Sequence, residues 1–224
     1  MTTITLALAA IALVPAPQKM SVTDGAFTTN LTVTCARDEK IPAERYRLKV
    51  EADGVKVWSS DDAGRFYAGE TLKQLTEKGK CPLVEIEDAP RYKWRGVHFD
   101  DCRHFFGKET VKHVIDQMAK HKYNRLHWHL TDDQGWRLDI PGYPELIKYG
   151  AVRSQSARHG THPTRGTKEN WNDLNGIKYG PYYYTEADIK EIVAYAAARH
   201  VTIVPEIEVP GHMFAALSAY PDLA

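Results

Sequence analysis

Three clusters of side chains able to move protons or hold a ligand punctuate the chain. They are Asp100, Asp101, Arg103 and His104; then His127, His129, Asp132 and Asp133; then Glu206, Glu208 and His212. Carboxylates beside imidazoles suit acid–base work, because each tunes the proton affinity of the other. Arginine adds a rigid fork of donors that fits hydroxyl or carboxylate groups. A single aspartate after a strand is most often a helix cap, and a single histidine on an apolar strand a hydrogen-bonded core group. Three such clusters, each directly after an apolar run, weigh against that plain reading. In a parallel sheet all strand carboxyl ends lie along one edge, so the clusters are expected to converge on one mouth.

The elements that must position them are readable from periodicity. Residues 97–99, 125–130 and 201–207 are predicted strands. Val111, Val114, Ile115, Met118 and Ala119 recur at helical spacing in a predicted helix over 108–122. Thr185 with Asp188 makes a capping box for a helix over 185–199, whose stripe is Ile189, Ile192, Val193, Ala196 and Ala197. Strand, helix, strand, helix, strand predicts an α/β fold with a parallel sheet. The right-handed crossover rule makes the strands adjacent in that order, with both helices on one side. A Gly- and Pro-punctuated stretch over 141–181 is longer than an ordinary connection, so it is expected to be functional or disordered.

Upstream, Tyr46, Leu48 and Val50 alternate with charged residues, and Asp53-Gly54 turns the chain into Val55 and Val57, predicting a hairpin. Asp61 or Asp62 can cap a helix carrying Ala68, Leu72 and Leu75, and 83–87 reads as another strand. This predicts a small α+β domain over 1–90, with a boundary at Asp88-Ala-Pro-Arg, and a second domain over 91–224. The apolar run 4–14 is too short to span a bilayer, which takes about 20 residues. It reads as a secretory signal remnant within 1–14 or as a first strand; the lack of Lys or Arg before Lys19 tells against the signal.

Composition sets the outer limits. With 29 basic and 29 acidic residues among 224, and 43% hydrophobic, the chain is globular. It carries no basic surplus for nucleic acid or an anionic membrane, and a neutral substrate is expected. Cys35, Cys81 and Cys102 are too scattered for a disulfide framework or a zinc ribbon.

WRGVHFDDCRHF (94–105), HWHLTDDQGWR (127–137), YYTEADIKEIVAYA (183–196) and VPEIEVPGH (204–212) resemble glycoside hydrolase family 20, the β-N-acetylhexosaminidases. The resemblance runs from Asp88 to Ala224 apart from the loop 158–178, and the hairpin-and-helix unit resembles the family's small N-terminal α+β domain. It implies the first three βα units of a TIM (β/α)8 barrel. It also implies retaining, substrate-assisted hydrolysis of terminal non-reducing N-acetyl-β-hexosamine residues, with the acetamide oxygen as nucleophile. Arg103 matches the arginine that holds the sugar's ring hydroxyls. Asp132 and His212 match a network behind the catalytic acid, and Glu208 stands where the family usually has Asp. The implied partners are N-acetylhexosamine-containing glycans, with no nucleic acid, membrane, metal or cofactor, in a secreted or periplasmic enzyme.

The family's adjacent catalytic Asp-Glu pair follows a His-x-Gly-Gly string that does not occur in this sequence. The 131 residues from Trp94 onward compare with about 250 in a complete barrel. The chain is therefore expected to be the front portion of such an enzyme, inactive alone. Two rival readings remain. His127 and His129 share one strand face and, with His212 and Asp132, form a potential metal site of a barrel metallohydrolase. The other is a non-catalytic chain that keeps part of a sugar-binding edge.

Overall fold

The structure, a computed structural model, describes residues 11–76, 79–153 and 179–223. The chain divides into two compact units, with the boundary between Lys93 and Trp94 and with Lys120–Lys122 grouped with the first.

The first unit is a five-stranded sheet with one helix. Its strands are β1 (Lys19–Thr28), β2 (Val33–Arg37), β3 (Tyr46–Glu51), β4 (Gly54–Ser59) and β5 (Cys81–Asp88), in the order β1-β5-β3-β4-β2. All pairs are antiparallel except β2 with β4. Alternation buries Tyr46, Leu48, Val50, Val55, Val57, Val84 and Ile86, and helix α1 (Asp62–Thr76) adds Tyr67, Ala68 and Leu75 to the same core. Asp61 provides the α1 cap, its Oδ1 accepting from the Gly64 amide at 2.8 Å.

The predicted hairpin forms, with Val50 opposite Val55 and Glu51 opposite Gly54. Gly54 is required where it stands: its φ is 146°, and an added Cβ would lie 2.7 Å from the Thr32 carbonyl oxygen. Among the described residues the first strand begins at Lys19. Residues 11–14 lie outside any strand, Leu13 joins the core, and 1–10 are outside the described residues. β1 and β2 escaped the sequence reading because neither is strongly apolar. β2 is exposed along its whole length and is held by pairing with β4.

The second unit is built on β6 (Gly96–Asp100), α2 (Lys108–Lys120), β7 (Arg125–His129), α3 (Glu186–Ala197) and β10 (Thr202–Glu206). The sheet order is β10-β7-β6 and both pairs are parallel, as predicted. Leu126, Trp128 and Leu130 pack with Val111, Ile115 and Met118 of α2 and with Ile192 and Ala196 of α3, so both helices cover one face. Alternation then turns His127 and His129 to the opposite face, where His98 is paired with His127 and Glu206 with His129. The capping box is present: the Thr185 side chain accepts from the Asp188 amide, and the Asp188 carboxylate accepts from the Thr185 amide, each at 3.1 Å.

After β7 the chain makes a hairpin of β8 (Thr131–Asp132) and β9 (Gly135–Trp136), which periodicity could not reveal in two-residue strands. A π-helical turn, Leu146–Gly150, opens the long connection, of which 154–178 lie outside the described residues. Past β10 comes the short helix α4 (Phe214–Ala219). Among the described residues the three-stranded sheet does not close on itself, and no helix is long and apolar enough to cross a membrane.

Candidate active site

The three clusters meet at the carboxyl end of this parallel sheet. Asp100 caps the turn after β6, its Oδ1 accepting from the amides of Cys102 and Arg103 at 3.0 and 3.1 Å. That turn aims the Arg103 guanidinium back across the strand ends. Nη1 donates to Asp100 Oδ2 at 2.8 Å, and Nη2 lies 2.7 Å from Asp132 Oδ2. The contact with Asp132 is ionic and off the N–H axis, so this enclosed oxygen stays short of a well-aligned hydrogen bond. His212 Nδ1 stands 3.3 Å from the other oxygen of Asp132. Its backbone is left-handed, with φ 53°, an unfavoured state for a side chain of this size, and it occurs here at a cluster of charged groups.

His129 links the parts. Its Nε2 is 2.9 Å from the Thr131 carbonyl oxygen, which can only accept, and its Nδ1 is 3.1 Å from Arg103 Nη1, which can only donate. These partners select the neutral Nε2–H tautomer. Glu208 arrives on the same side: its amide donates to Thr131 Oγ1 at 2.8 Å, and its Oε1 is 4.0 Å from His129 Nε2. Arg103, Asp132 and His212 are thus gathered directly around one buried carboxylate, while Glu208 reaches them through His129 and Thr131. Asp133 serves the scaffold, its Oδ1 accepting from the Phe214 amide at the start of α4 at 3.1 Å. His104 packs its ring against Phe106.

Burial opposes charge at Asp132, but the His129 ring, whose Nε2 lies 3.2 Å from Oδ2, the Asp133 amide and the nearby Arg103 and His212 outweigh it, holding the carboxyl below its usual range. At His129 burial again opposes charge, and Asp132, Glu206 and Asp100 overcome it and raise the imidazole above 6.5. A proton enters at Nδ1, whose other neighbour is Glu206 Oε2 at 3.7 Å. A raised folded-state pKa means that this residue's stabilising contribution is full below about 6.5 and disappears as pH climbs through the folded value. An NMR titration of the His129 ring should therefore give a midpoint above 6.5, and Asp132→Asn should lower it. A midpoint at or below 6.5 in the parent chain would contradict this electrostatic account.

Among the described residues, three groups bring potential metal donors within 4.8 Å of one another: His98, His129 and Glu206; Asp100, Cys102 and His129; Asp132, Asp133 and His212. The set His127, His129, His212 and Asp132 does not assemble. His127 belongs to none of these groups, and its Nε2 lies 2.8 Å from Glu206 Oε2. The reason is one of register: Glu206 sits beside His127 and His129 on the neighbouring strand, whereas Asp132 lies beyond the strand end.

Two residues shape the site in roles that local spacing does not reveal. Asp101, read as part of the chemical cluster, is fully buried and faces the core, where it accepts from Trp128 Nε1 at 2.7 Å, the Tyr184 hydroxyl at 2.8 Å and the Phe106 amide at 2.9 Å. Arg137, buried as well, donates to the carbonyls of Asp101, Cys102 and Tyr182, at 3.1, 2.7 and 3.0 Å, and so pins the loop that carries Arg103. Burial lowers its pKa to about 10. Gly135 makes room for it, since a Cβ there would lie 2.3 Å from Arg137 Cζ. A lone arginine two residues past a glycine carries no periodic signal.

Residues 92–224 match the pattern of the glycosyl hydrolase family 20 catalytic domain. The chain belongs to glycosyl hydrolase family 20. Residues 28–89 match domain 2 of the same family. A β-hexosaminidase of Akkermansia muciniphila is 37% identical over 96% of this chain, and a β-N-acetylhexosaminidase of Cellulomonas fimi is 35% identical over 92%. The chain spans 41% and 38% of the lengths of these family 20 relatives. The crystal structure of a Vibrio harveyi exo-β-N-acetylglucosaminidase in complex with N-acetylglucosamine superposes with a TM-score of 0.80 at 28% identity, covering 94% of this chain and 38% of that one. The N-acetyl-β-hexosaminidase of Streptomyces plicatus in complex with Thio-NAglucal gives 0.70 at 38% identity, covering 86% and 36%.

Proposed function

We propose that this chain is the sugar-holding front of a β-N-acetylhexosaminidase that removes terminal non-reducing N-acetyl-β-hexosamine residues with retention of configuration. The observation that carries the reading is the Arg103 guanidinium, braced by Asp100, His129 and Asp132 at the mouth of a parallel sheet, with Nε–H and the second Nη2–H left to grasp ring hydroxyls. Asp132 and His212 form the network that tunes the catalytic acid, and Glu208 enters that network beside His129. The substrate's acetamide oxygen attacks the anomeric carbon while an acid protonates the leaving oxygen. No residue of this sequence matches the adjacent Asp-Glu pair that does this work, so those two roles are assigned to none of its residues.

We also read β6, β7 and β10 as the first three strands of an eight-fold barrel. An apolar groove of about 820 Å³ runs along the outer side of β10 and α3, lined by Val193, Ile203, Ile207 and Met213 among others. Further βα units packing there would cover it and pair the open strand edge.

The test compares the 224-residue chain with a version extended by the remaining catalytic-domain portion of the Akkermansia muciniphila relative, using an aryl N-acetyl-β-glucosaminide. The chain alone is expected to show no turnover, since loss of general acid help alone costs about 100- to 10,000-fold. The extended protein is expected to hydrolyse the glycoside. Metal-independent turnover by the short chain would overturn the assignment of the acid to a segment outside it, and a folded but inactive extended protein would overturn the glycosidase reading.

A further inference from the structure

On the sheet face opposite the helices, His98, His127 and His129 surround the carboxylate of Glu206. The proposed glycosidase chemistry uses neither His98 nor Glu206. Each comes from a strand interior or end in a fixed register, so the group is held by rigid elements. His98 Nε2 lies 3.4 Å and His129 Nδ1 3.7 Å from Glu206 Oε2. A tetrahedral zinc ion with bonds of about 2.0 to 2.2 Å needs donor separations of about 3.4 Å. We propose that His98 Nε2, His129 Nδ1 and Glu206 Oε2 form a binding site for a divalent transition metal ion of the zinc class.

The orientation of each donor supports this. The Thr131 carbonyl fixes the His129 tautomer so that Nδ1 keeps its lone pair, which accepts from Arg103 Nη1 at 3.1 Å and would turn to the ion, and an imidazole whose other nitrogen donates to a carbonyl is the usual arrangement of a metal-bound histidine. Glu206 Oε2 is enclosed yet receives no well-aligned hydrogen bond, which leaves a lone pair for an ion. His127 Nε2, 2.8 Å away, steadies the same carboxylate from outside the donor triangle. The side chain of His98 is half exposed and gives an entry path. Two imidazoles and one carboxylate suit zinc, copper or nickel rather than magnesium or calcium, and leave a fourth position for a further ligand.

Charge does not forbid it. The Arg103 guanidinium is flanked by the carboxylates of Asp100 and Asp132, and Glu206 adds a third carboxylate beside His129. An ion at His129 Nδ1 displaces a single Arg103 hydrogen bond and leaves Arg103 its contacts with Asp100 and Asp132. The alternative group with Cys102 is poorer, because burial pushes that thiol far above its ordinary pKa and its Sγ is committed to the His129 carbonyl. The group around Asp132 already holds Arg103.

The experiment titrates the purified full chain with Zn(II) by calorimetry and with Co(II) by visible spectroscopy, needing no catalytic activity and no sugar. Expected are one ion per chain, the strong visible bands of low-coordinate cobalt, and no thiolate charge-transfer band. His98→Ala and the isosteric Glu206→Gln should each weaken binding about 100-fold, while His113→Ala on the exposed side of α2 and His212→Ala should not. Thermal unfolding without metal shows that each variant is folded, and zinc should raise the midpoint of the parent chain but not of His98→Ala. No binding by the parent chain, unchanged affinity in folded His98→Ala, a thiolate band, or loss of binding in His212→Ala would each overturn the site.

Discussion

Replacing Asp101 by alanine is expected to destabilise the second unit by about 3 to 5 kcal/mol, the scale seen when one partner of a buried charged network is removed. Its carboxylate is the common acceptor for Trp128 Nε1, the Tyr184 hydroxyl and the Phe106 amide, from β7, the segment before α3 and the loop after β6. The Trp128 and Tyr184 donors are left in the buried core, where an unsatisfied group costs about 1 to 3 kcal/mol, and the part-buried Phe106 amide loses its acceptor. Total stabilities of about 5 to 15 kcal/mol make this loss decisive. Burial raises the Asp101 carboxyl above its usual range even with these donors, so the residue is kept at a cost that only its network repays. Asp101→Asn is expected to be harmful as well, because one end of the amide must point its own donors at donors. Because the chain has two units, the transition should be followed at the Trp128 indole N–H by NMR during urea unfolding, which reports the second unit by itself. A loss below about 1 kcal/mol for Asp101→Ala would show that the three donors find other partners.

The second large effect concerns Arg103. In the protein extended through the rest of the catalytic domain, Arg103→Lys should lower kcat/KM on an aryl N-acetyl-β-glucosaminide by about 100- to 1,000-fold. Breaking one member of a desolvated charge pair costs about 2 to 5 kcal/mol, with 1.4 kcal/mol per factor of ten. A lysine ammonium cannot reach Asp100, His129 and Asp132 together with a sugar hydroxyl, and it leaves the fully enclosed Asp132 side chain without its guanidinium. Both KM and kcat should change, since the sugar is held in the ground state and in the transition state alike. Asp132→Asn in the same protein should instead distort the pH profile, because it removes the carboxylate that raises His129. A kcat/KM within tenfold of the parent for Arg103→Lys would remove Arg103 from the substrate contacts.

How much of this was legible beforehand depends on the range of the interaction involved. The helical stripe of α2, the Thr185 and Asp188 capping box, the hairpin of β3 and β4 and the parallel order β6, β7, β10 all rest on local spacing or on the crossover rule, and the sequence by itself determined them. It also determined that Arg103, Asp132 and His212 would meet, because strand carboxyl ends in a parallel sheet share one edge. Tertiary structure alone decided which residues of the same clusters turned inward. Asp101 and Asp100 are neighbours of identical type, and only the positions of Trp128 and Tyr184, 27 and 83 residues away, draw one into the core and leave the other to brace Arg103. The tautomer of His129, the grouping of Glu206 with His98 rather than with His212, and the strand role of the wholly exposed β2 were settled in the same way. Each depends on a donor, an acceptor or an open strand edge brought close by folding, and a pattern read a few residues at a time contains no information about partners that distant.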